Sequence, residues 1–385
     1  MIRARAVLLV AGLLAASALS LVVAPATASA GPLSGPVHVK AYRAGVTTDV
    51  TAVDTRRHIV YSTSAEGWIV VIHEKGGTVR DSWNGHVHCY EDCAIRVDDA
   101  SGDAYISATN QTAVTVIKGQ RLVRRVPLPA GALGGAMIVD QRSNDIYVAD
   151  SRRADIEVLH GTRIVHTIAL AAVADALALD PSTGELYVAS SSSDDVIVIK
   201  GHHIASTVTL PFAPAAITVD PTADRAYAVD GAGSTIAELT DEKVTRSIAL
   251  DSLMGDATSW TAGSIAAAYG TQELYVGVIA MHTAAGGYSY AVPEILTVHD
   301  GAPDKVVTMH PPVAGERARM PGFIVDRATS YVYAAAQAYG GEVLRGHHLV
   351  QVLKVARTNG QIDQARHEIW VGNGRNAVDR IRLPK

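Results

Sequence analysis

The chain has 385 residues, with 33 Lys and Arg against 38 Asp and Glu, a formal charge of −5, 48% apolar residues, and only two Phe and two Cys beside 14 Tyr. Mild acidity argues against general electrostatic attachment to DNA, RNA or anionic membranes. Two cysteines are too few to brace a fold of this length.

The N-terminus reads as an export signal. Arg3 and Arg5 precede an apolar stretch from Ala6 to Val23, and Ala28-Ser-Ala30 offers a small-residue cleavage site. Residues 1–30 are therefore expected to be a secretory signal peptide and residues 31–385 a single exported domain, free of the membrane after cleavage. Loss of the two leader arginines leaves 31 basic against 38 acidic residues, or −7. An uncleaved anchor is the alternative, because the stretch is just long enough to span a bilayer.

Beyond the leader a seven-residue ruler organises the chain: Asp, or its stand-in, closes a short apolar run and an aromatic follows seven positions later. The pairs are Asp54/Tyr61, Asp98/Tyr105, Asp140/Tyr147, Asp180/Tyr187, Asp220/Tyr227, Ala268/Tyr275, Asp326/Tyr333 and Asp363/Trp370. The fourth unit shows the grammar: Ala176–Asp180, the turn Pro181–Gly184, Glu185–Ala189, a polar loop, Val196–Lys200, Gly201-His-His203, and Ile204–Leu210. β-Branched runs favour pleated pairing and the Pro-x-x-Gly and Gly-x-x segments favour tight reversals, so each unit predicts a four-stranded antiparallel meander. Repeats of about 40 residues that cannot bury their own faces must stack, which predicts an all-β propeller.

The last unit, Gly360–Asp363, His367–Gly372 and Ala377–Leu383, has three strands and lacks a fourth. Pro36–Tyr42 is a strand-like run that belongs to no complete unit. Pairing the two would complete the ring and remove its open edge. The expected count is eight blades, closed by this N-terminal strand; seven is the alternative if the degenerate sixth or the last unit is not a full blade.

Asp180-Pro-Ser-Thr-Gly-Glu-Leu-Tyr-Val-Ala189, Ile146-Tyr-Val-Ala149 and the Val/Ile-rich third strands resemble the YVTN family of β-propeller repeats, within a broader class that includes NHL-type and virginiamycin B lyase-like propellers. The resemblance implies a propeller, commonly seven-bladed, and a wide range of roles from extracellular binding to occasional catalysis.

Turns after the first and third strands share one rim and are short. Turns after the second strand and between blades share the other rim and carry the irregularity: Gly85–Cys93, Asp251–Gly263, Ala280–Pro293 and His310–Pro321. Long loops concentrate function, so the recognition surface is expected on this rim. The loop Ala280–Pro293 pairs two glycines with Tyr288 and Tyr290, and His282, Arg317, Arg319 and Tyr339 are expected nearby, a set suited to an anionic or polyhydroxylated ligand.

Cys89 and Cys93 in an exported chain are expected to form one local disulfide. His86 and His88, with Cys89 and Cys93 or, beside an intact bridge, with Glu91 or Asp92, make a weaker divalent-metal alternative. Gly201-His-His203 and Gly346-His-His348 read as exposed turns, Asn110-Gln-Thr112 is a bare sequon, and the repeated Asp is structural because eight copies cannot all be catalytic.

No catalytic motif emerges and no cofactor is expected. The sequence reading is a secreted, monomeric, non-enzymatic module that binds an extracellular ligand or protein, such as a cell-wall polymer, through its long-loop rim. A metal-assisted lyase or hydrolase built on His282, Glu294 and His310 is one alternative, and a cell-wall-associated structural protein the other.

Overall fold

The structure is a computed structural model and describes residues 37–74, 78–85, 87, 93–284, 287–309, 318–336, 340–353, 360–373 and 376–384. The leader expected at 1–30 lies outside them. Val37–Lys385 is one compact unit.

Eight sheets of four antiparallel strands make a propeller. We letter the strands of each blade A to D from the axis outward; in blade 4 they are Ala176–Leu179, Leu186–Ala189, Asp195–Lys200 and His203–Thr209. The A strands of neighbouring blades touch all the way round, including blade 8 to blade 1. Blade 8 takes its A, B and C strands from Gly360–Asp363, Glu368–Gly372 and Ala377–Arg382, and its D strand from His38–Arg43. That closing pair runs from His38 opposite Arg382 to Arg43 opposite Ala377, so the ladder joins the two ends of the described chain.

Successive side chains of a strand point to opposite faces, so each blade packs against both neighbours. Eight apolar clusters result, one per seam, and each contains one aromatic of the ruler. In blade 3, Tyr147 and Ala149 join the seam with blade 4, while Ile146 and Val148 join the seam with blade 2. At the closing seam Trp370 occupies the tyrosine position and packs on Tyr42 of the N-terminal strand, ring centroids 5.2 Å apart. Each buried aromatic or aliphatic side chain contributes about 1.5–3 kcal/mol, and the ring has no seam without them.

The repeated aspartate is a turn cap. Asp180 Oδ1 accepts the Ser182 amide at 2.6 Å, the Ser182 hydroxyl at 2.6 Å and the Thr183 amide at 3.3 Å. Asp54, Asp98, Asp140, Asp220, Asp326 and Asp363 accept the amide two residues on in the same way. These charge-assisted bonds hold the A–B turn against the blade end. Where blade 6 has Ala268, the Thr271 hydroxyl donates to the Ala268 carbonyl instead.

On this short-turn rim the C–D turn of one blade leans on the blade before it. The Gly119 amide donates to the Tyr61 hydroxyl at 2.8 Å, the Tyr275 hydroxyl donates to the Gly346 carbonyl, and Lys200 pairs with Glu242 at 2.6 Å. His202 and His347, read from sequence as simple exposed turn residues, join this pattern: each is half-buried, His202 Nε2 lying 2.8 Å from Asp145 and His347 Nδ1 2.6 Å from Asp304. Burial pushes the Asp145 carboxyl up, but hydrogen bonds from His160, His202 and Ser143 outweigh it and hold the group below its ordinary range.

Among the described residues the only helical element is a 3-10 turn at Asp251–Leu253. No helix there is long and apolar enough to cross a membrane.

Candidate functional site: the tall sixth blade

Blade 6 departs from its siblings. Its A, B and C strands run Ser259–Ala268, Glu273–Thr283 and Ser289–His299, with 10, 11 and 11 residues, where strand B of blade 3, Asp145–Ala149, has five. Six extra residues at the strand rise carry the B–C hairpin about 20 Å further along the long-turn rim. The segment Ala280–Pro293, read from sequence as a loop, is therefore mostly paired strand: the B–C register continues unbroken from Glu273 opposite His299 to Thr283 opposite Ser289.

Pro293 is tolerated within this ladder for a geometric reason. Its carbonyl accepts the Met309 amide from the D-strand side, and the nitrogen of the same residue faces that side too, so the B–C pairing loses no bond. A bulge between Ala262 and Ser264 bends strand A. The Ser264 hydroxyl then donates to the Pro321 carbonyl, in a space that a Cβ on Gly277 would occupy. Below the tip, Trp260, Ala262, Val278 and Ala280 are buried against Ala257 and the Leu253–Met254 turn, which supports the projecting sheet. Gly233, in the B–C turn of blade 5 with φ +71°, lets that turn approach Val278 closely.

At the tip the sequence-selected residues come together in part. His282 and Tyr290 are opposite each other, their rings stacked at 5.6 Å with planes 23° apart. His282 Nδ1 is 3.3 Å from Asp256 and Nε2 is 3.5 Å from Glu294, so the imidazole lies between two carboxylates. Glu294 is buried, and burial raises its pKa against the opposing pull of His282 and of the Thr308 hydroxyl, which donates to it at 3.3 Å. Tyr290 is 50% exposed and Tyr288, beside it, 80% exposed.

The clamp has a chemical consequence. Both ring nitrogens of His282 face carboxylates, so the ring is a bracket beside Tyr290, with Nε2 buried next to Glu294. Asp256 was missed from the sequence, because it enters from the connection between blades 5 and 6 with no motif around it.

Arg319 is exposed in the segment leading into blade 7, whose connection belongs to the same rim. Arg317, Tyr339 and His310 lie outside the described residues, as do His86, His88, Cys89, Glu91 and Asp92. Cys93, the expected partner of Cys89, opens strand A of blade 2, Cys93–Asp98, beside the seam with blade 1.

A second cluster lies on the opposite rim at the closing seam. His58, Glu74 and Asp363 each present an atom within 4.8 Å of the others. Arg366 already fills the space: its guanidinium donates to His58 Nε2 at 2.8 Å, pairs with Glu74, and places Nε 3.7 Å from Asp363. Arginine only donates, so His58 Nε2 is the acceptor in this contact. A metal here would first have to displace the arginine.

Neither the family models nor the curated proteins contain a match to this chain. Solved structures do match, 1195 chains in number. Hydrazine synthase of Kuenenia stuttgartiensis aligns at a TM-score of 0.58 and 13% identity over 75% of this chain and 94% of its own. U3-55K aligns at 0.55 and 11% identity over 90% of this chain and 98% of its own. At such identities the likeness carries the propeller architecture and nothing of the chemistry.

Proposed function

We propose that this chain is an exported, non-enzymatic binding module of the YVTN-like propeller class, taking an extracellular ligand or protein on its long-turn rim through the tall sixth blade. The observation that carries this reading is the pair of exposed tyrosines on a projecting, paired hairpin, with Tyr290 braced by a histidine that two carboxylates hold. Tyrosine offers large amphipathic contact area at low side-chain entropy cost, and a ring fixed before contact binds without that ordering penalty. Export follows from the leader pattern of residues 1–30, and a Cys89–Cys93 bridge would pin a neighbouring part of the same rim.

The metal-assisted lyase or hydrolase reading draws less support. The His282 nitrogens and their carboxylates face each other in pairs without converging on one point, and the convergent trio at the closing seam holds an arginine. Attachment to the cell wall remains the special case in which the ligand is a wall polymer.

The test is retention on two immobilised baits, purified cell-wall polymer and the secreted protein fraction, with the wild-type chain beside Tyr288→Ala/Tyr290→Ala. The proposal expects retention of the wild type on one bait and its loss in the double variant. Equal retention of both proteins, or none of either, would overturn it.

A further inference from the structure

The closing seam carries a cavity on the long-turn rim, two blades from the tall hairpin. It has a volume of about 560 Å³ and is lined by Gly45, Val46, Thr47, Glu66, Trp68 and Asn376. Three elements meet there: the connection from the closing strand into blade 1, the Ser64–Gly67 turn of blade 1, and the residue that precedes strand C of blade 8. Backbone bonds fix each wall. The Ala44 amide donates to the Asn376 carbonyl at 2.6 Å, and the Gly67 amide donates to Ser64 at 3.0 Å. The Ser64 hydroxyl accepts the Trp68 amide at 3.1 Å. Gly45 has φ +75° and no atom within 4 Å of where a Cβ would stand, which leaves the mouth open.

The polar groups are complementary in kind. The Thr47 hydroxyl donates to Glu66 Oε2. That bond, helped by the Glu66 amide and the Ser64 hydroxyl, holds the Glu66 carboxyl below its ordinary range, so it stays an acceptor. With its hydrogen spent, the Thr47 oxygen also accepts. Asn376 brings an amide that both donates and accepts, and Trp68 brings a flat apolar face with one N–H donor.

We propose that this cavity is a saccharide subsite, with Trp68 as the platform for the apolar face of a sugar ring and Glu66, Thr47 and Asn376 as partners for its hydroxyls. An aromatic plane beside mixed donors and acceptors matches a ring whose faces are apolar and whose rim is all hydroxyl. The site is an open depression, which suits a ring covered on one face and left to solvent on the other. An anionic ligand is disfavoured by Glu66. An organic ammonium would use Trp68 and Glu66, yet would leave the Asn376 amide without a purpose.

The site stands apart from the sixth-blade reading, so the two fail separately. Saturation-transfer NMR on the intact chain with methyl glucoside, N-acetylglucosamine, chitotriose and cellotriose, and with tetramethylammonium as the cation probe, tests it. The expected result is transfer to at least one saccharide, weakened about tenfold in Glu66→Gln and in Trp68→Ala, a change of about 1.4 kcal/mol each. Trp68→Phe, which keeps a ring, should retain part of the affinity and guards against misfolding of the alanine variant. No transfer to any of the four saccharides, transfer insensitive to Trp68 and Glu66, or binding of tetramethylammonium alone would overturn the proposal.

Discussion

Two tyrosines at the same place in successive blades should respond oppositely to loss of a hydroxyl. Tyr61 and Tyr105 are both fully buried, each in the seam with the next blade. The Tyr61 hydroxyl accepts the Gly119 amide at 2.8 Å, whereas the Tyr105 hydroxyl is buried with no hydrogen-bond partner. Burial raises both phenols above their ordinary pKa, and for Tyr105 the nearby Asp103 and Asp98 push the same way. Tyr61→Phe gives up one hydrogen bond, worth about 1 kcal/mol, and leaves the half-buried Gly119 amide to find water. Tyr105→Phe removes a polar atom whose desolvation was never offset, which should gain about 1 kcal/mol. The pair should thus differ by about 2 kcal/mol while the apolar packing of both seams is unchanged. Equilibrium urea unfolding at neutral pH, with the slope compared as well as the midpoint, measures this. Equal shifts of the same sign in the two variants would refute the assignment of hydroxyl partners, and with it the idea that the seam aromatic serves by packing first and by hydrogen bonding only where a C–D turn is near.

Two more outcomes follow from buried charge. Glu157 lies in strand C of blade 3, Asp155–His160, and burial raises its pKa despite the Thr167 hydroxyl at 2.7 Å. An acid raised on folding favours the folded state at low pH and costs stability as pH climbs through its folded value. Glu157→Gln should therefore raise the unfolding midpoint at pH 7, with the gain vanishing below the ordinary value of 4.5; a gain independent of pH would contradict the cause given. At the closing seam, Arg366→Met strips the cation from buried Glu74 and Asp363 and should cost about 3–5 kcal/mol. Added zinc should restore part of that loss through His58, Glu74 and Asp363 and leave the wild type unmoved, read by thermal unfolding with and without metal.

The ring was legible because its determinants are local and repeated. The Asp turn cap, the aromatic seven residues on and the period-2 burial each recur with little dependence on distant contacts, and the unpaired run before Thr51 announced the strand missing after Leu383. The tall blade was not legible: Gly286-Gly287 and Pro293 read as loop punctuation, and only the direction of the Pro293 carbonyl shows why a strand survives there. The His282 clamp unites Asp256, His282, Glu294 and Thr308 from four different segments, with no spacing to betray it. His202 was misjudged for the same reason, since Asp145 reaches it from the preceding blade. The saccharide cavity depends on Gly45 and Asn376 being neighbours, which is a consequence of ring closure and invisible before it.

The closure itself is tested most directly by a disulfide between Val39→Cys and Ile381→Cys, residues paired directly opposite in the outermost ladder of blade 8. Peptide mapping of the oxidised monomer should find this bridge formed within one chain, with the unfolding midpoint raised, because the bond closes nearly the whole described polypeptide. Free thiols at both positions, or bridges found only between chains, would contradict a propeller whose two ends complete the same blade.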